Sequence, residues 1–221
     1  MPFSVRVRRT LAGVAAGLFL AGAAPASATL VKSYDFNGDL TDTLGNGADL
    51  VSFGGSLATS GLYTFSGNQG LRLDAALVDT STYAIEMKVQ MTSNGSFWKK
   101  LIDYQNLTSD MGLYIRSSSL HFYNASATGA VGIPVLTDAV ITLTRDDATD
   151  LVSGYVDGAL QWSFVDSGNL AVSASNVLHF FIDDNFGPEN FPGSVDYIRI
   201  YDTSDTTVAV LARSRGQLQP V

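Results

Sequence analysis

The chain contains no cysteine, which excludes disulfides, thiolate metal centres, a cysteine nucleophile and a lipidated N-terminal cysteine. Its two histidines, His121 and His179, are too few for a His-rich metal centre. Charge is sparse, at 15% of 221 residues, and the basic side is the thin one: 13 Lys and Arg stand against 21 acids, a net charge of −8. Such a balance argues against nucleic acid as a partner. Glutamate is scarce as well, with only Glu86 and Glu189, so nearly every acid is an aspartate. Beyond residue 28 there is no apolar run of the roughly 20 residues that a membrane helix needs, so no membrane insertion is expected. Internal repeats, charge blocks and Pro-rich linkers are missing too. What is present is a core's worth of apolar residues, 46% of the chain with 12 Phe, 9 Tyr and 2 Trp, enough for one domain and too much for a disordered chain.

Residues 1–28 read as a secretory signal peptide. Arg6, Arg8 and Arg9 precede an apolar run from Leu11 to Ala24, and Ala26-Ser27-Ala28 is a small-residue cleavage site. Cleavage after Ala28 removes three arginines and no acid, so the −8 of the whole chain becomes −11 in the mature protein. The expected location is secreted, extracellular or periplasmic. Export without disulfides is typical of bacteria, and the Asn94, Asn106 and Asn124 sequons are the kind that arise by chance in a Ser/Thr-rich chain. Residues 29–205 are the expected domain and 206–221 a C-terminal tail.

Short β-rich runs separated by Gly, Asn, Asp and Ser recur along the mature chain, and no window shows helical periodicity. From Ile85 to Thr92 the apolar Ile85, Met87, Val89 and Met91 alternate with Glu86, Lys88, Gln90 and Thr92, which predicts a strand with one core face and one solvated face. Glu86 is thereby expected to face solvent. Asp157-Gly158 between two apolar runs predicts a type I′ hairpin. The nearly continuous apolar run Val177 to Ile182 predicts a strand covered on both faces, with His179 packed inside. Further strands are expected over 30–36, 61–65, 70–74, 99–104, 111–116, 120–123, 139–145, 151–156, 159–164 and 195–201. The economical architecture is all-β, two antiparallel sheets packed as one sandwich.

Three segments resemble the bacterial laminin-G-like domains of the concanavalin A-like lectin/glucanase superfamily. The first is Tyr34-Asp35-Phe36-Asn37-Gly38-Asp39-Leu40 with Asp42 and the Gly45-Asn46-Gly47 turn. The second runs from Thr144-Arg145-Asp146 to Tyr155-Val156-Asp157-Gly158, and the third is Gly193-Ser194-Val195-Asp196-Tyr197-Ile198-Arg199-Ile200-Tyr201. The resemblance implies a jelly-roll sandwich that binds carbohydrate or protein and often carries calcium. If the first and last strands are neighbours, as it also implies, Asp42, Asn46 and Asp196 are the expected metal ligands for a structural calcium ion, oxygen donors of the kind calcium prefers. The alternative is that Asp42 and Asn46 serve only the turn and Asp196 ties the closing strand to a loop.

Glycosidases need two carboxyl groups, and the superfamily's glucanases carry them on a Glu-x-Asp-x-x-Glu strand that this chain lacks. Lys88 and Gln90 stand where acids would have to follow Glu86. Glu189 lies in a loop, either solvated or in contact with a ligand or metal. A Gly-x-Ser-x-Gly elbow is also missing. Stacking on a sugar calls for aromatic residues near loops, and Trp98, Tyr104 and Tyr114 are the candidate ligand-binding residues, with Tyr123 and Phe186 also eligible. The expected function is non-catalytic recognition of a polysaccharide or another extracellular ligand. The alternatives are a structural or adhesive exoprotein that contacts other proteins, and a polysaccharide-cleaving enzyme.

Overall fold

A computed structural model of the protein describes residues 28–202 except 94–96, 185–188 and 190. Residues 1–27 of the expected leader, the C-terminal tail and Phe186 lie outside the described residues. The described residues form fifteen strands and no helix. In chain order they are β1 (Leu30–Tyr34), β2 (Val51–Phe53), β3 (Ser56–Ala58), β4 (Leu62–Phe65), β5 (Gly70–Asp74), β6 (Tyr83–Met91), β7 (Lys99–Asp103), β8 (Gly112–Arg116), β9 (Ser119–Phe122), β10 (Ala127–Thr128), β11 (Asp138–Asp146), β12 (Leu151–Val156), β13 (Ala159–Val165), β14 (Val177–Phe180) and β15 (Gly193–Tyr201). β2, β3 and β10, of two or three residues, are the strands that the sequence did not predict.

All pairings are antiparallel. A larger sheet of eight strands runs β13-β12-β11-β6-β15-β4-β3, with β1 joined to β15 beyond the stretch held by β4. A smaller sheet of seven runs β10-β9-β8-β7-β14-β5-β2. First and last strands are thus neighbours, Tyr34 opposite Ile198.

Alternation decides what lies between the sheets. Ile85, Met87 and Val89 of β6 and Ile141 and Leu143 of β11 meet Leu113 and Ile115 of β8 and Leu120 and Phe122 of β9 in one core. Phe65 stacks on Phe181 at 4.4 Å between ring centres. Gly154 has no side chain because Trp162 lies where a Cβ would stand, 2.4 Å from its Cζ2. The Trp162 indole then donates to Leu120 O of the opposite sheet at 3.1 Å. The predicted hairpin is present: Asp157 and Gly158 both have positive φ, 48° and 76°, as a type I′ turn requires. The Asp157 carboxylate also accepts from Val140 N at 2.9 Å.

Arg145, at the end of β11, closes one rim of the core. It is fully buried, donates to Asp166 and Asn169 and to Ser81 O, and the Asp166 carboxylate in turn accepts from Leu170 N and Ala171 N. A buried guanidinium satisfied in this way fixes the loops around it.

Candidate functional site

The outer face of the smaller sheet collects the aromatic and charged residues that the core does not use. Because Leu113, Ile115, Leu120 and Phe122 point inward, Tyr114, Arg116 and His121 point outward, with Tyr114 directly opposite His121. β7 breaks this alternation with a bulge between Lys100 and Ile102. Leu101 and Ile102 both enter the core, so Lys100 and Asp103, three apart, share the outer face and pair at 3.2 Å.

Trp98, immediately before β7, is half-buried over this face. Its ring meets those of Tyr114, His121 and Tyr123 at 5.4, 5.2 and 5.5 Å, each in edge-on geometry, and the Arg116 guanidinium lies 4.8 Å over it. His121 is held against Thr128 Oγ1 at 3.1 Å, and partial burial lowers its pKa. Tyr114, beneath, is fully buried, with the Lys100 ammonium 4.6 Å from its ring centre.

Beside the rings lies an acidic group. Asp110 lies near the end of the β7–β8 loop, and Asp183 and Glu189 come from the β14–β15 connection; one carboxylate oxygen of each lies within 4.8 Å of the others. The Glu189 carbonyl accepts from Lys100 N at 3.0 Å, which ties this connection to β7. Burial raises the pKa of all three acids. Lys100 opposes the rise at Asp183, and the neighbouring carboxylates, Asp184 among them, add to it. The Tyr114 hydroxyl is likewise pushed up, by burial first and then by Glu189, Asp183 and Asp110. The Asp183 side chain has no solvent exposure and its two oxygens accept no hydrogen bond; Lys100 Nζ stands 3.5 Å from one of them.

Of the three predicted ligand-binding residues, the structure keeps Trp98 at the surface. Tyr104 is corrected to a core residue, 1% exposed and packed on Tyr83 and Phe122, because the β7 bulge sends Asp103 outward and the following ring inward. Tyr114 is on the right face but lies under Trp98, so it supports the surface rather than forming it. Tyr123 is half-buried at the edge of the same cluster.

The predicted calcium set also needs correction. Asp42 and Asn46 do come together, but as a turn: the Asp42 carboxylate accepts from Ser33 N, Leu44 N and Asn46 N at 2.9, 3.1 and 2.8 Å, and Asn46 Nδ2 donates to Val31 O. Asp196 is engaged by Lys88 at 2.7 Å. N–H groups and an ammonium occupy the oxygens that a cation would take, so these residues fit a turn and an ion pair better than calcium.

Glu86 is corrected from solvent-facing to fully buried. It is on the outer face of the larger sheet as its alternation predicts, but Arg199 lies across from it at 3.7 Å and Tyr197, its pKa raised by burial first and then by this carboxylate, crowds beside it. His179 is buried as expected, but on the outer side of its sheet, with Nε2 3.0 Å from Asn106 Oδ1 and Phe53 against its ring. Sequence reasoning missed Asp110, Asp183 and Lys100. The one signal was Glu189, a rare glutamate in a loop.

A family model described as the concanavalin A-like lectin/glucanases superfamily matches residues 65–208. Among solved structures, domain 4 of AbnA, an extracellular arabinanase from Geobacillus stearothermophilus, in complex with arabinotriose, superposes with a TM-score of 0.65 at 18% identity. That match covers 87% of this chain and 99% of the domain. The botulinum neurotoxin serotype D ligand-binding domain, in complex with N-acetylneuraminic acid, gives 0.64 at 15% identity over 85% of this chain and 51% of its own. Trypanosoma rangeli sialidase gives 0.61 at 17% identity over 84% of this chain and 32% of its own. At these identities the likeness is one of fold. None of the curated proteins matches the sequence.

Proposed function

Since the chain belongs to the concanavalin A-like lectin/glucanases superfamily, we propose that it is an exported, non-catalytic module that binds polysaccharide on the outer face of its smaller sheet. The observation that carries this reading is Trp98, half-exposed and braced by Tyr114, His121 and Tyr123. A ring immobilised in that way offers apolar area to a sugar face at little entropic cost. Asp110 and Glu189, both partly exposed beside it, supply acceptors for hydroxyl groups. The acidic surface favours neutral glycans over anionic ones. The arabinotriose and N-acetylneuraminic acid complexes of its structural neighbours support a sugar ligand without identifying it.

A second reading, a glycan hydrolase, has one observation in its favour: three carboxyl groups of raised pKa within 4.8 Å. It stands second because the braced Trp98 surface accounts for recognition without turnover, although Asp110 and Glu189 alone make up the pair of acids that a glycosidase needs.

The test is binding of the protein to a broad panel of immobilised polysaccharides, arabinans and sialylated glycans included. Selective binding that falls about tenfold or more in Trp98→Ala, with the circular dichroism spectrum unchanged, supports the reading. Silence from folded protein across the panel sinks it and turns attention to a structural or adhesive role. Release of reducing ends moves it to the hydrolase.

A further inference from the structure

We propose that Asp110, Asp183 and Glu189 hold a divalent cation of the calcium class, at a place the motifs of the sequence did not indicate. The inference is independent of whether the Trp98 surface takes sugar.

Four observations converge. The three acids approach from two separate connections, and their nearest oxygens lie within 4.8 Å of one another. Oxygens bound to one calcium ion at about 2.3–2.6 Å are separated by distances of this order. Asp183 is enclosed, with no solvent exposure at its side chain and no hydrogen bond to either oxygen. An ionised carboxylate in that position needs a positive partner. The Tyr114 hydroxyl, also enclosed, faces the same acids, Glu189 foremost. Finally, the local charges do not balance. Lys100 is the ammonium of the cluster, and it is already bound to Asp103 at 3.2 Å while standing 3.5 Å from Asp183. One ammonium cannot neutralise Asp103, Asp110, Asp183 and Glu189 together.

The donor set selects the ion. Every ligand is a hard carboxylate oxygen, the chain has no cysteine sulfur, and neither histidine belongs to the group, which points away from zinc and copper. Loop-borne carboxylates suit calcium's flexible coordination better than magnesium's strict octahedron. The ion would pin the β14–β15 connection to the β7–β8 loop, directly beside Trp98 and Tyr114.

The experiment uses the whole protein, stripped with chelator. Calcium binding is read by calorimetry and by the rise in Tm, and terbium is added as a second probe whose emission the nearby Trp98 and Tyr114 rings sensitise. The expected result is one calcium per chain, sensitised terbium emission that calcium displaces, and affinity lowered about tenfold or more in Asp110→Asn and in Glu189→Gln. These two positions are partly exposed, so both variants fold even if Asp183→Asn does not. Asp42→Asn is expected to keep the full calcium-dependent rise in Tm. The proposal is overturned if millimolar calcium produces no heat and no change in Tm, or if the response survives in both carboxamide variants. Cation-independent release of reducing ends that Glu189→Gln abolishes would overturn it in another way, by making these acids a proton-sharing catalytic group. Loss of polysaccharide binding alone, with calcium binding intact, removes the sugar reading and leaves this one standing.

Discussion

The two sheets turn opposite kinds of outer face to their surroundings. On the larger sheet the charges close on one another: Lys88 bridges Asp138 and Asp196 at 2.9 and 2.7 Å, and Arg199 reaches Asp35 and Glu86, each at 3.7 Å, while its guanidinium lies 3.9 Å over the Tyr197 ring. On the smaller sheet the aromatic cluster of Trp98 stands next to acids that outnumber their one ammonium. A face whose charges are mutually satisfied has little left to offer a ligand, whereas surplus acids beside a braced ring leave both chemistry and area available. The proposed division between a structural face and a recognition face rests on this difference.

Breaking the closed face is the most damaging test. Glu86→Ala removes a wholly buried carboxylate that Arg199 and Tyr197 share, so it is expected to cost about 2 kcal/mol. In a domain of this size that is a drop in Tm of roughly 4–8 °C, measured by calorimetry, with polysaccharide and calcium binding unchanged in the folded fraction. Trp98→Ala is its counterpart: binding falls and Tm moves little. If Glu86→Ala abolished binding in folded protein, the division between the faces would be wrong.

Much of this division was legible in the alternation of single strands. The β6 pattern placed Glu86 on the outer face and Met87 in the core, and the turn chemistry of Asp157-Gly158 was enough to mark the β12–β13 hairpin. What alternation could not give was the depth of burial on an outer face. Glu86 is covered by residues more than a hundred positions away, on β15, and nothing local reports them. Nor could it reveal the bulge at β7, where one extra residue moves Asp103 outward and sends Tyr104 into the core. The acid group failed for the same reason: Asp110 and Asp183 are brought together by the order β8-β7-β14 in the sheet, a pairing that residue types do not encode. The Asp42 turn, by contrast, was readable as a turn, since its bonds are all local or to the neighbouring strand.

A middle-sized effect comes from pH and probes the half of the smaller sheet away from Trp98. His179 faces Asp103 on β7 and Arg72 and Asp74 on β5, with Asn106 at Nε2 and Phe53 against the ring. Burial lowers its pKa, Arg72 adds to the fall, and Asp103 and Asp74 oppose it. The native imidazole is therefore neutral where the unfolded one, with its ordinary pKa near 6.5, takes up a proton. That stability is fully present above about pH 6.5 and is lost as pH falls from there toward the lowered native pKa. Tm is expected to fall between pH 7 and pH 5, and His179→Gln, which keeps a donor for Asn106, is expected to flatten that part of the profile. His121 shifts in the same direction and leaves a residual slope. A profile unchanged by His179→Gln would mean that the imidazole takes up its proton alike in the native and unfolded states, burial being offset by Asp103.

The smallest effect tests whether the larger sheet's face is closed by charge or by packing. Lys88 has 30% of its side chain exposed between Asp138 and Asp196, which are themselves 51% and 38% exposed. Pairs so open to solvent contribute little, so Lys88→Met is expected to cost about 0.5 kcal/mol at low salt. At 1 M salt, where the screening length falls to about 3 Å, the cost should shrink toward zero. Methionine keeps most of the apolar stem over β15 and removes only the ammonium, so the salt-dependent part of the difference is the ion pairs' own contribution. A cost that persists undiminished in salt would show that this part of the face is held shut by packing of the lysine stem, whereas a cost that vanishes shows it held by charge balance, the condition that the acids around Asp183 lack.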